Sequence, residues 1–328
     1  MFKNNKVLVT GSQGLVGSHL VERLVKEDAK VTATWHDKFY DDYALPEVTY
    51  LRVDLRNPED CKKICENQDY VFLVSANTSG AATMAKTPLV QVTPNIIMNS
   101  QMLEAAYFAG VKKFMWLSST TGYPDQGELF TYEDDMFKGN PHDKYFAVGW
   151  MKRYTEVLCR LYSEKLTPRM PCIVLRPTNI IGKRDKFDPQ RSHVLPALIR
   201  KVVERKRPLE VWGDGTEVRD FVYVTDMVNA MILAMEKLDG YDPINIGMGK
   251  TYTVNEILNI ILKADQWYDA EIVYNKTMPT MIPKRIVDVS KAKRLLGWEA
   301  KVDIETAIKE IINWYTSQKN YVTFCCGA

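Results

Sequence analysis

The chain of 328 residues is long enough for about two domains of ordinary size, or for one large α/β domain with an additional lobe. Apolar residues make up 46% and charged residues 26%, which excludes an intrinsically disordered chain and a small disulfide-stapled domain. The 43 basic and 41 acidic side chains nearly cancel, which argues against nucleic acid or an anionic membrane surface as the main partner.

Short apolar runs alternate with helical patterns through the first half of the chain. This alternation predicts βαβ units, and therefore an α/β fold with a doubly wound parallel sheet covered by helices on both faces. In chain order, the predicted strands are 6–10, 30–35, 49–53, 70–75, 113–118 and 172–176, and the predicted helices between them are 14–26, 58–66, 95–109 and 144–165.

After residue 177 the alternation of strands and helices becomes less regular. Short extended pieces separate the helical patterns at 193–204, 225–238, 254–263 and 304–317. We expect residues 1–180 to form the first domain, with returning segments around 219–248. Residues 181–328 are expected to form mainly a smaller C-terminal α+β lobe. Ligands of open parallel sheets bind at the carboxyl ends of the strands, so the cleft between domain and lobe is the expected active site.

A glycine motif follows the first strand directly and opens the first helix. Gly11 permits the tight turn, Gly14 lets backbone N–H groups approach a pyrophosphate, and Gly17 lets the helix pack closely on the strand. In this strand–turn–helix context the motif predicts a dinucleotide-binding domain of the Rossmann type.

The end of the second strand bears on the choice between NAD and NADP, because a carboxylate there would bind the ribose 2′-hydroxyl of NAD. Trp35 occupies that place, followed by His36, Asp37 and Lys38. The missing carboxylate and the nearby cationic side chains slightly favour NADP, whereas Asp37 keeps NAD open if the strand is longer. After the third strand, two residues are placed to reach the adenine or to serve as a helix cap and a core residue, namely Asp54 and Leu55.

Further motifs occur in a fixed order: LSSTTGYP at 117–124 with Tyr145, RPTNIIGKRDKF at 176–187, SHVLPAL at 192–198, VWGDG at 211–215, RDF at 219–221, and DVSKAK at 288–293 with LGW at 296–298. With the glycine motif, they resemble the extended short-chain dehydrogenase/reductases, also called the NAD-dependent epimerase/dehydratase family. Within it, the chain is most similar to nucleotide-sugar epimerases and reductases of the GDP-L-fucose synthase type. The resemblance spans residues 5 to 318.

The resemblance implies a mechanism in which Tyr145 exchanges a proton with a sugar oxygen while nicotinamide exchanges a hydride with the same carbon. Ser119 is implied to bond that oxygen. The family places a lysine four residues after the tyrosine, where it lowers the phenol pKa, but here that position is Gly149. Lys152 lies two helical turns from Tyr145, about 10 Å along the axis, and is the candidate substitute cation.

Other roles also follow from the resemblance. His193 matches an acid/base for epimerisation beside the ketone, and the cysteine that would partner it is Thr121 here. Arg219 and Arg285 are candidate diphosphate ligands, and Trp212 either stacks on the nucleotide or fills the core of the lobe. The resemblance also implies cofactor contacts by Gln13, Leu15, Ala76, Asn95, Pro177 and Asn179, and substrate contacts by Thr120, Thr121, Asn179 and Val194.

Three functions remain open at this point: a working NAD(P)-dependent enzyme with a substitute cation, a slow or partial enzyme, and a non-catalytic nucleotide-sugar binder. The first includes epimerisation, reduction, 4-epimerisation and dehydration of a nucleotide sugar. The resemblance further implies a homodimer joined by a four-helix bundle, for which we expect outward apolar residues on helices 95–109 and 144–165: Met98, Met102, Tyr107, Met151 and Leu158.

Targeting and metal signals are weak. No apolar run approaches a membrane span and the polar start lacks a signal-peptide core, so we expect a cytoplasmic protein. Six cysteines without paired spacing indicate reduced thiols and no metal site. Residues 325–328 look superficially like a lipidation signal, and we interpret them as a frayed end.

Overall fold

The computed structural model describes residues 1–78, 80–127, 130–189 and 191–325, without the side chains of 81, 82, 85 and 319–325. Of the C-terminal segment 325–328, only the backbone of residue 325 belongs to this description.

The strands in chain order are β1 (Lys6–Thr10), β2 (Lys30–Trp35), β3 (Thr49–Arg52), β4 (Tyr70–Leu73), β5 (Lys113–Leu117), β6 (Phe130–Thr131), β7 (Cys172–Pro177), β8 (Asn179–Ile181), β9 (Leu209–Trp212), β10 (Val218–Tyr223), β11 (Ile244–Ile246), β12 (Thr251–Thr253), β13 (Ile272–Asn275) and β14 (Ile286–Val287). The helices are α1 (Leu15–Lys26), α2 (Pro58–Cys65), α3 (Ala81–Lys86), α4 (Leu89–Phe108), α5 (Phe146–Glu164), α6 (Val194–Val203), α7 (Val224–Lys237), α8 (Val254–Ala264), α9 (Ser290–Leu296) and α10 (Ile304–Cys325). Short 3₁₀ turns lie at Asp41–Tyr43, Thr120–Gly122, Glu133–Asp135 and Asp143–Tyr145.

Seven strands form one parallel sheet in the order β11-β7-β5-β4-β1-β2-β3. The order reverses at β1, whose neighbours are β2 and β4, so the carboxyl ends of these strands border a crevice. This confirms the predicted α/β fold with a doubly wound parallel sheet. Smaller sheets accompany it: β12-β10-β8, in which β10 and β12 are antiparallel, and the parallel pairs β13-β9 and β14-β6.

Alternation along the central strands builds a separate core on each face of the sheet. Val7 and Val9 of β1 pack with α1 and α7 residues on one face, whereas Leu8 packs with α2 and α4 residues on the other. A third core lies among β9, β10, α6, α8 and α10. Successive side chains of a strand point to opposite faces, so a strand covered by helices on both sides is apolar throughout.

Helix α4 begins at Leu89, six residues before the predicted start at Asn95, and contains Pro94 in its interior. Proline has no N–H to donate to the carbonyl four residues earlier, that of Val90. The Val90 carbonyl instead accepts a hydrogen bond from Asn77 Nδ2 at 2.9 Å. Tertiary contact therefore satisfies the group that would otherwise end the helix, which sequence periodicity did not reveal.

The expected outward faces of α4 and α5 are partly wrong. Met102 and Met151 are 0% and 3% exposed, so neither lies on an outer face, and Met102 packs in the core between α4 and the sheet. Met98, Tyr107 and Leu158 are partly buried and pack against the same core as Met102. The exposed apolar side chains of these helices are Leu89, Val90, Phe108, Phe146, Trp150, Tyr154, Val157 and Leu161.

Within the described part of the chain, no helix is both long enough and apolar enough to cross a membrane. The described residues also contain no group of three or more His, Cys, Asp or Glu side chains arranged to hold a metal ion. Cys61, Cys65, Cys159 and Cys172 are buried free thiols.

Candidate active site

The glycine loop between β1 and α1 is held by close backbone approaches. Gly11 adopts a φ of +67°, and a Cβ there would lie 2.9 Å from the Cα of Ser75 in the loop after β4. A Cβ on Gly17 would lie 2.1 Å from the carbonyl oxygen of Gly11, so α1 presses directly on the loop. Gly14 precedes Leu15, the first residue of α1, and its N–H donates to the Gly11 carbonyl at 3.0 Å.

The side-chain amide of Gln13 has a hydrogen-bond partner at its oxygen but not, among the described residues, at its nitrogen. Its Oε1 accepts a hydrogen bond from the Tyr40 N–H at 2.8 Å, whereas its buried Nε2 finds no partner among the described residues. A buried unpaired donor calls for a ligand or an ordered water. Together with the glycine cradle and the N-terminus of α1, this donor fits an anionic dinucleotide at the loop.

At the end of β2, the carboxylates already have partners. His36 Nδ1 lies 2.5 Å from Asp37 Oδ1, and its Nε2 lies 3.6 Å from Asp54 Oδ2. Arg56 binds Asp54 with both Nε and Nη2, which holds the pKa of the Asp54 carboxyl at about 2. The Arg52 guanidinium lies 5.4 Å from the Trp35 ring.

Two further residues are expected near the adenosine, Lys38 and Leu55. The Nζ atom of Lys38 lies 4.5 Å from the centre of the Tyr40 ring. Leu55 differs from these charged residues because its side chain is buried in the core beside α2. Of its two predicted roles, the Leu55 side chain therefore has that of a core residue.

The loop after β4 is stapled to α4 by two asparagines. Asn95 Oδ1 accepts from the Asn77 N–H at 2.9 Å, and Asn95 Nδ2 donates to the Asn77 carbonyl at 3.0 Å. Asn95 thus holds the loop that carries exposed Ala76, rather than presenting a free amide. Sequence reasoning missed Asn77, although its clue, the interior Pro94, was visible.

The loop 119–123, which we call the Ser119 loop, begins directly after β5 and Ser118. Ser119 Oγ caps the 3₁₀ turn by accepting from the Thr121 N–H at 3.2 Å. The buried Oγ1 of Thr121 has no partner among the described residues, so the loop leaves a hydroxyl available to a ligand.

Gly149 lets α5 approach this loop closely. A Cβ at position 149 would lie 2.5 Å from Pro141 Cβ and 2.9 Å from the carbonyl oxygen of Thr121. Real Cβ atoms essentially never come this close, and the second atom belongs to backbone that cannot swing aside. A lysine at this position therefore does not fit the present packing.

Tyr145 stands just before α5, as its N-cap residue. Burial raises the pKa of its phenol, and the charges of Arg219 and Arg285 oppose that shift. Arg285 donates to the carbonyl of Thr120 and, at 3.2 Å, to that of Tyr123, so it connects the phenol to the Ser119 loop. The two arginines predicted for a diphosphate are thus the cations that act on Tyr145.

The Lys152 side chain contacts the end of β5. Its Nζ donates to the Leu117 carbonyl at 2.9 Å and lies 4.6 Å from the centre of the Trp116 ring. Burial lowers the pKa of Lys152 to about 8, opposed by the charge of Glu156. The residue four positions before Lys152 is the buried Val148, so a tyrosine–lysine pair of the family spacing would need its phenol at 148 rather than at 145.

His193 stands at the start of α6 without capping the helix through its side chain. Burial and the charge of Lys186 lower the pKa of His193, which favours the neutral imidazole. Lys186 Nζ donates to Thr78 Oγ1 at 3.0 Å and so ties this region to the loop after β4. Burial also raises the pKa of Asp185 to about 7.

The remaining predicted residues occupy the same strand ends or the lobe. Pro177 closes β7, and Asn179 opens β8 with its Nδ2 donating to the Asp220 carbonyl at 2.8 Å. Val194 packs against the core of the lobe. Trp212 is half-buried, donates from Nε1 to Glu210 Oε2 at 3.2 Å, and has Lys201 Nζ 5.8 Å from the centre of its ring.

Known proteins resemble this chain over most of its length. A family model described as the NAD dependent epimerase/dehydratase family matches residues 7–247. A putative GDP-L-fucose synthase 2 of Arabidopsis thaliana is 28% identical over 321 residues, 95% of this chain and 92% of that protein. GDP-mannose 3,5-epimerase of the same plant is 28% identical over 329 residues, 96% of this chain and 83% of that protein. The solved structure of UDP-glucose 4-epimerase from Thermotoga maritima with UDP-glucose is 29% identical, with a TM-score of 0.85 and coverage of 95% of this chain and 99% of that one.

Proposed function

The chain belongs to the NAD-dependent epimerase/dehydratase family of nucleotide-sugar epimerases and reductases, whose members use NAD or NADP, and from this premise we propose its reaction. We propose an NAD(P)-dependent enzyme that epimerises or reduces a nucleotide sugar at a keto or hydroxyl carbon. In this proposal, residues 1–180 with 219–248 hold the dinucleotide, and residues 181–328 mainly hold the nucleotide sugar.

The observation that carries the proposal is the burial of the Tyr145 phenol within reach of the charges of Arg219 and Arg285, the second of which also bonds the Ser119 loop. Its raised pKa keeps the phenol protonated at neutral pH, so Tyr145 is suited to donate a proton to a sugar oxygen during reduction. The Ser119 hydroxyl would orient the same oxygen. When bound, the nicotinamide supplies or accepts hydride at the sugar carbon.

The residues present fit such a cofactor. Gly11, Gly14 and Gly17 form the cradle, and Gln13 Nε2 offers a buried donor beside it. Arg56 binds Asp54, and His36 lies against Asp37. Both carboxylates therefore already have a partner, and neither is free to bind a ribose hydroxyl. This supports a slight preference for NADP over NAD.

Substrate contacts are proposed for the groups left unpaired or charged in the cleft. Arg219 and Arg285 would bind the diphosphate through planar guanidinium groups, and the free Thr121 hydroxyl would bond the sugar. His193, whose imidazole is held neutral, would accept a proton from a carbon beside a ketone. Threonine is a poor proton donor, so a double epimerisation of the GDP-L-fucose synthase type would need another donor in place of Thr121.

A second candidate is a nucleotide-sugar and dinucleotide binder without turnover. The observation that favours it concerns Lys152. Its ammonium binds the Leu117 carbonyl, and the charges that act on the Tyr145 phenol are those of Arg219 and Arg285 instead. Binding would survive this arrangement, whereas a proton transfer that needs lysine beside the phenol would not.

One experiment separates the two. The purified protein is screened by thermal shift with GDP-, UDP-, CDP- and dTDP-sugars in the presence of NAD or NADP. Sugars that bind are followed by nicotinamide absorbance and by NMR of the product. We expect turnover that is abolished in Tyr145→Phe, with nucleotide-sugar binding retained. If wild type and Tyr145→Phe are equally inert while binding is intact, the enzyme proposal fails and the binder remains.

We also propose a homodimer through α4 and α5. The outer face of α5 carries a stripe of exposed apolar side chains at helical spacing: Phe146, Trp150, Tyr154, Val157 and Leu161. Stripes of this kind on a soluble protein mark an interface. Trp150→Glu should convert a sedimenting dimer to a monomer at micromolar concentration, whereas Tyr268→Glu, at an exposed site outside these helices, should not. A wild-type monomer at this concentration would contradict the proposal.

A further inference from the structure

A buried carboxylate lies beneath the Ser119 loop and has no part in the proton transfer described above. Glu156, one turn beyond Lys152 on α5, is 0% exposed. Its Oε1 accepts from Ser118 Oγ at 2.5 Å and from Arg176 Nε at 2.9 Å. Its Oε2 accepts from Arg176 Nη2 at 2.6 Å and from the Tyr241 hydroxyl at 3.0 Å. Each oxygen of this carboxylate therefore has two donors.

Arg176 extends the network to the other end of the same loop. Its Nη1 donates to the Tyr123 hydroxyl at 2.8 Å and to the Glu133 carbonyl at 2.7 Å. The Tyr123 hydroxyl in turn donates to Asn245 Oδ1 at 2.7 Å. Ser118 precedes the Ser119 loop and Tyr123 ends it, so the Glu156–Arg176 ion pair holds both ends of the loop.

Two further side chains of α5 act on the same segment. Lys152 donates to the Leu117 carbonyl, and Arg153 Nε donates to the Gly122 carbonyl at 2.7 Å. Lys152 and Glu156 thus bind consecutive residues at the end of β5. Tyr145 is the N-cap residue of α5, so these contacts hold the helix that follows the phenol against the Ser119 loop.

Stability alone is a weak reason for such a pair. Removing two charges from water is costly, and well-packed apolar residues often replace a buried ion pair without loss of stability. A fully bonded pair does, however, specify one arrangement of the groups around it. What it specifies here is the end of β5, the Ser119 loop and the end of β7.

We propose that Glu156 is a positioning residue that, through Ser118 and Arg176, holds the Ser119 hydroxyl in register with the Tyr145 phenol. This inference rests on the proposed function for its catalytic consequence. The geometric part, that the network orders the loop, is testable without turnover.

The test compares two variants that each remove one hydrogen bond from Glu156 and leave the ion pair intact. Ser118→Ala removes the bond that leads to the loop. Tyr241→Phe removes a hydrogen bond from the other carboxylate oxygen, Oε2. Among the described contacts, none joins Tyr241 to the Ser119 loop, so this variant is the matched control. Both are measured for melting temperature, for kcat and KM on the substrate found for wild type, and for amide hydrogen exchange at Thr121 and Gly122.

We expect Ser118→Ala to lower kcat about tenfold with KM nearly unchanged, because misplacement of one reacting group lowers the rate more than binding. Loop amides should exchange faster. Tyr241→Phe should lower the melting temperature comparably and change neither kcat nor loop exchange. Wild-type kcat and loop exchange in Ser118→Ala, or equal losses in both variants, would overturn the proposal. If wild type turns over no substrate, the proposed function fails, and the exchange comparison still decides whether Glu156 orders the loop.

Discussion

The two ends of the cleft are built on the same edge of one sheet, yet they relate differently to the sequence. At the proposed dinucleotide end, Gly11 has the turn conformation and Gly17 the close packing that the motif predicts, and a Cβ at Gly17 would collide with the loop. At the proposed catalytic end, the family lysine is replaced by Gly149, Lys152 Nζ binds the Leu117 carbonyl, and the charges of Arg219 and Arg285 act on Tyr145.

The difference shows what a local motif specifies. The three glycines of the loop lie within seven positions of one another, and among the close approaches described for them only that of Ser75 comes from a distant segment, so the sequence pattern indicates most of the loop geometry. The surroundings of Tyr145 come from residues 74 and 140 positions away, at 219 and 285, which no local pattern links.

The largest effect is expected for Gly17→Ala. Its Cβ would meet the Gly11 carbonyl at 2.1 Å, so α1 must move away from the loop. We expect dinucleotide affinity to fall roughly a hundredfold or more, measured by calorimetry. Gly110→Ala is the control, because Gly110 has a φ of +72° but open space around it. Its backbone strain should cost about 1 kcal/mol of stability and leave the affinity unchanged.

Gly149→Lys tests the close packing at the catalytic end. If space allowed, this substitution would restore the family lysine and move the pH–rate profile toward neutrality. Because its Cβ would collide with Pro141 and with the Thr121 carbonyl, we expect unfolding free energy to fall by about 2 kcal/mol and turnover to fall roughly tenfold.

Gly240→Lys is the control, since the nearest atom to its Cβ would be Arg169 Nη1 at 3.9 Å. It should match wild type in denaturant unfolding and in rate. A Gly149→Lys protein that is stable and faster at neutral pH would show that the loop yields, and that the close packing does not explain the glycine.

Arg219→Gln tests whether arginines serve the phenol. Arg219 opposes the rise in the pKa of Tyr145, so its removal raises that pKa further. In the direction that takes a proton from a sugar hydroxyl, the ionised phenol is required, so the rate should fall about tenfold at neutral pH and the profile should move to higher pH.

KM for the nucleotide sugar should rise as well, if Arg219 binds the diphosphate. Arg160→Gln, at an exposed site on α5 paired with Glu164, should leave the pH profile in place. An unshifted profile in Arg219→Gln would mean that Arg219 serves binding alone.

The smallest effect concerns the adenosine ribose. We expect NADP to bind about threefold more tightly than NAD, and the difference to grow at low salt because screening weakens charge contacts. Lys38→Gln should remove the preference and leave NAD affinity unchanged by calorimetry. Equal or tighter binding of NAD by wild type would identify Asp37 as the ribose ligand.

Sequence periodicity placed most of the elements that it predicted to within two residues, including β1, β2, α6 and α7, but it gave no bounds for the short strands after β7. It missed the first turns of α4 because Pro94 reads as a helix breaker when the Asn77 side chain is not in view. It also placed Met102 and Met151 on the wrong face, because both helices are apolar on more than one side and only the packed sheet decides which side is inward.

The amino-acid sequence alone indicates the alternation of strands and helices and the glycine loop between β1 and α1. These depend on side-chain period and turn chemistry over a few neighbouring residues. Only the tertiary structure decided that Arg219 and Arg285 act on Tyr145, that Gly149 seats α5 against the Thr121 carbonyl, and that Glu156 joins Ser118 to Arg176. These contacts join residues 20 or more positions apart, and they form only when parallel strands bring their carboxyl ends to one edge of the sheet.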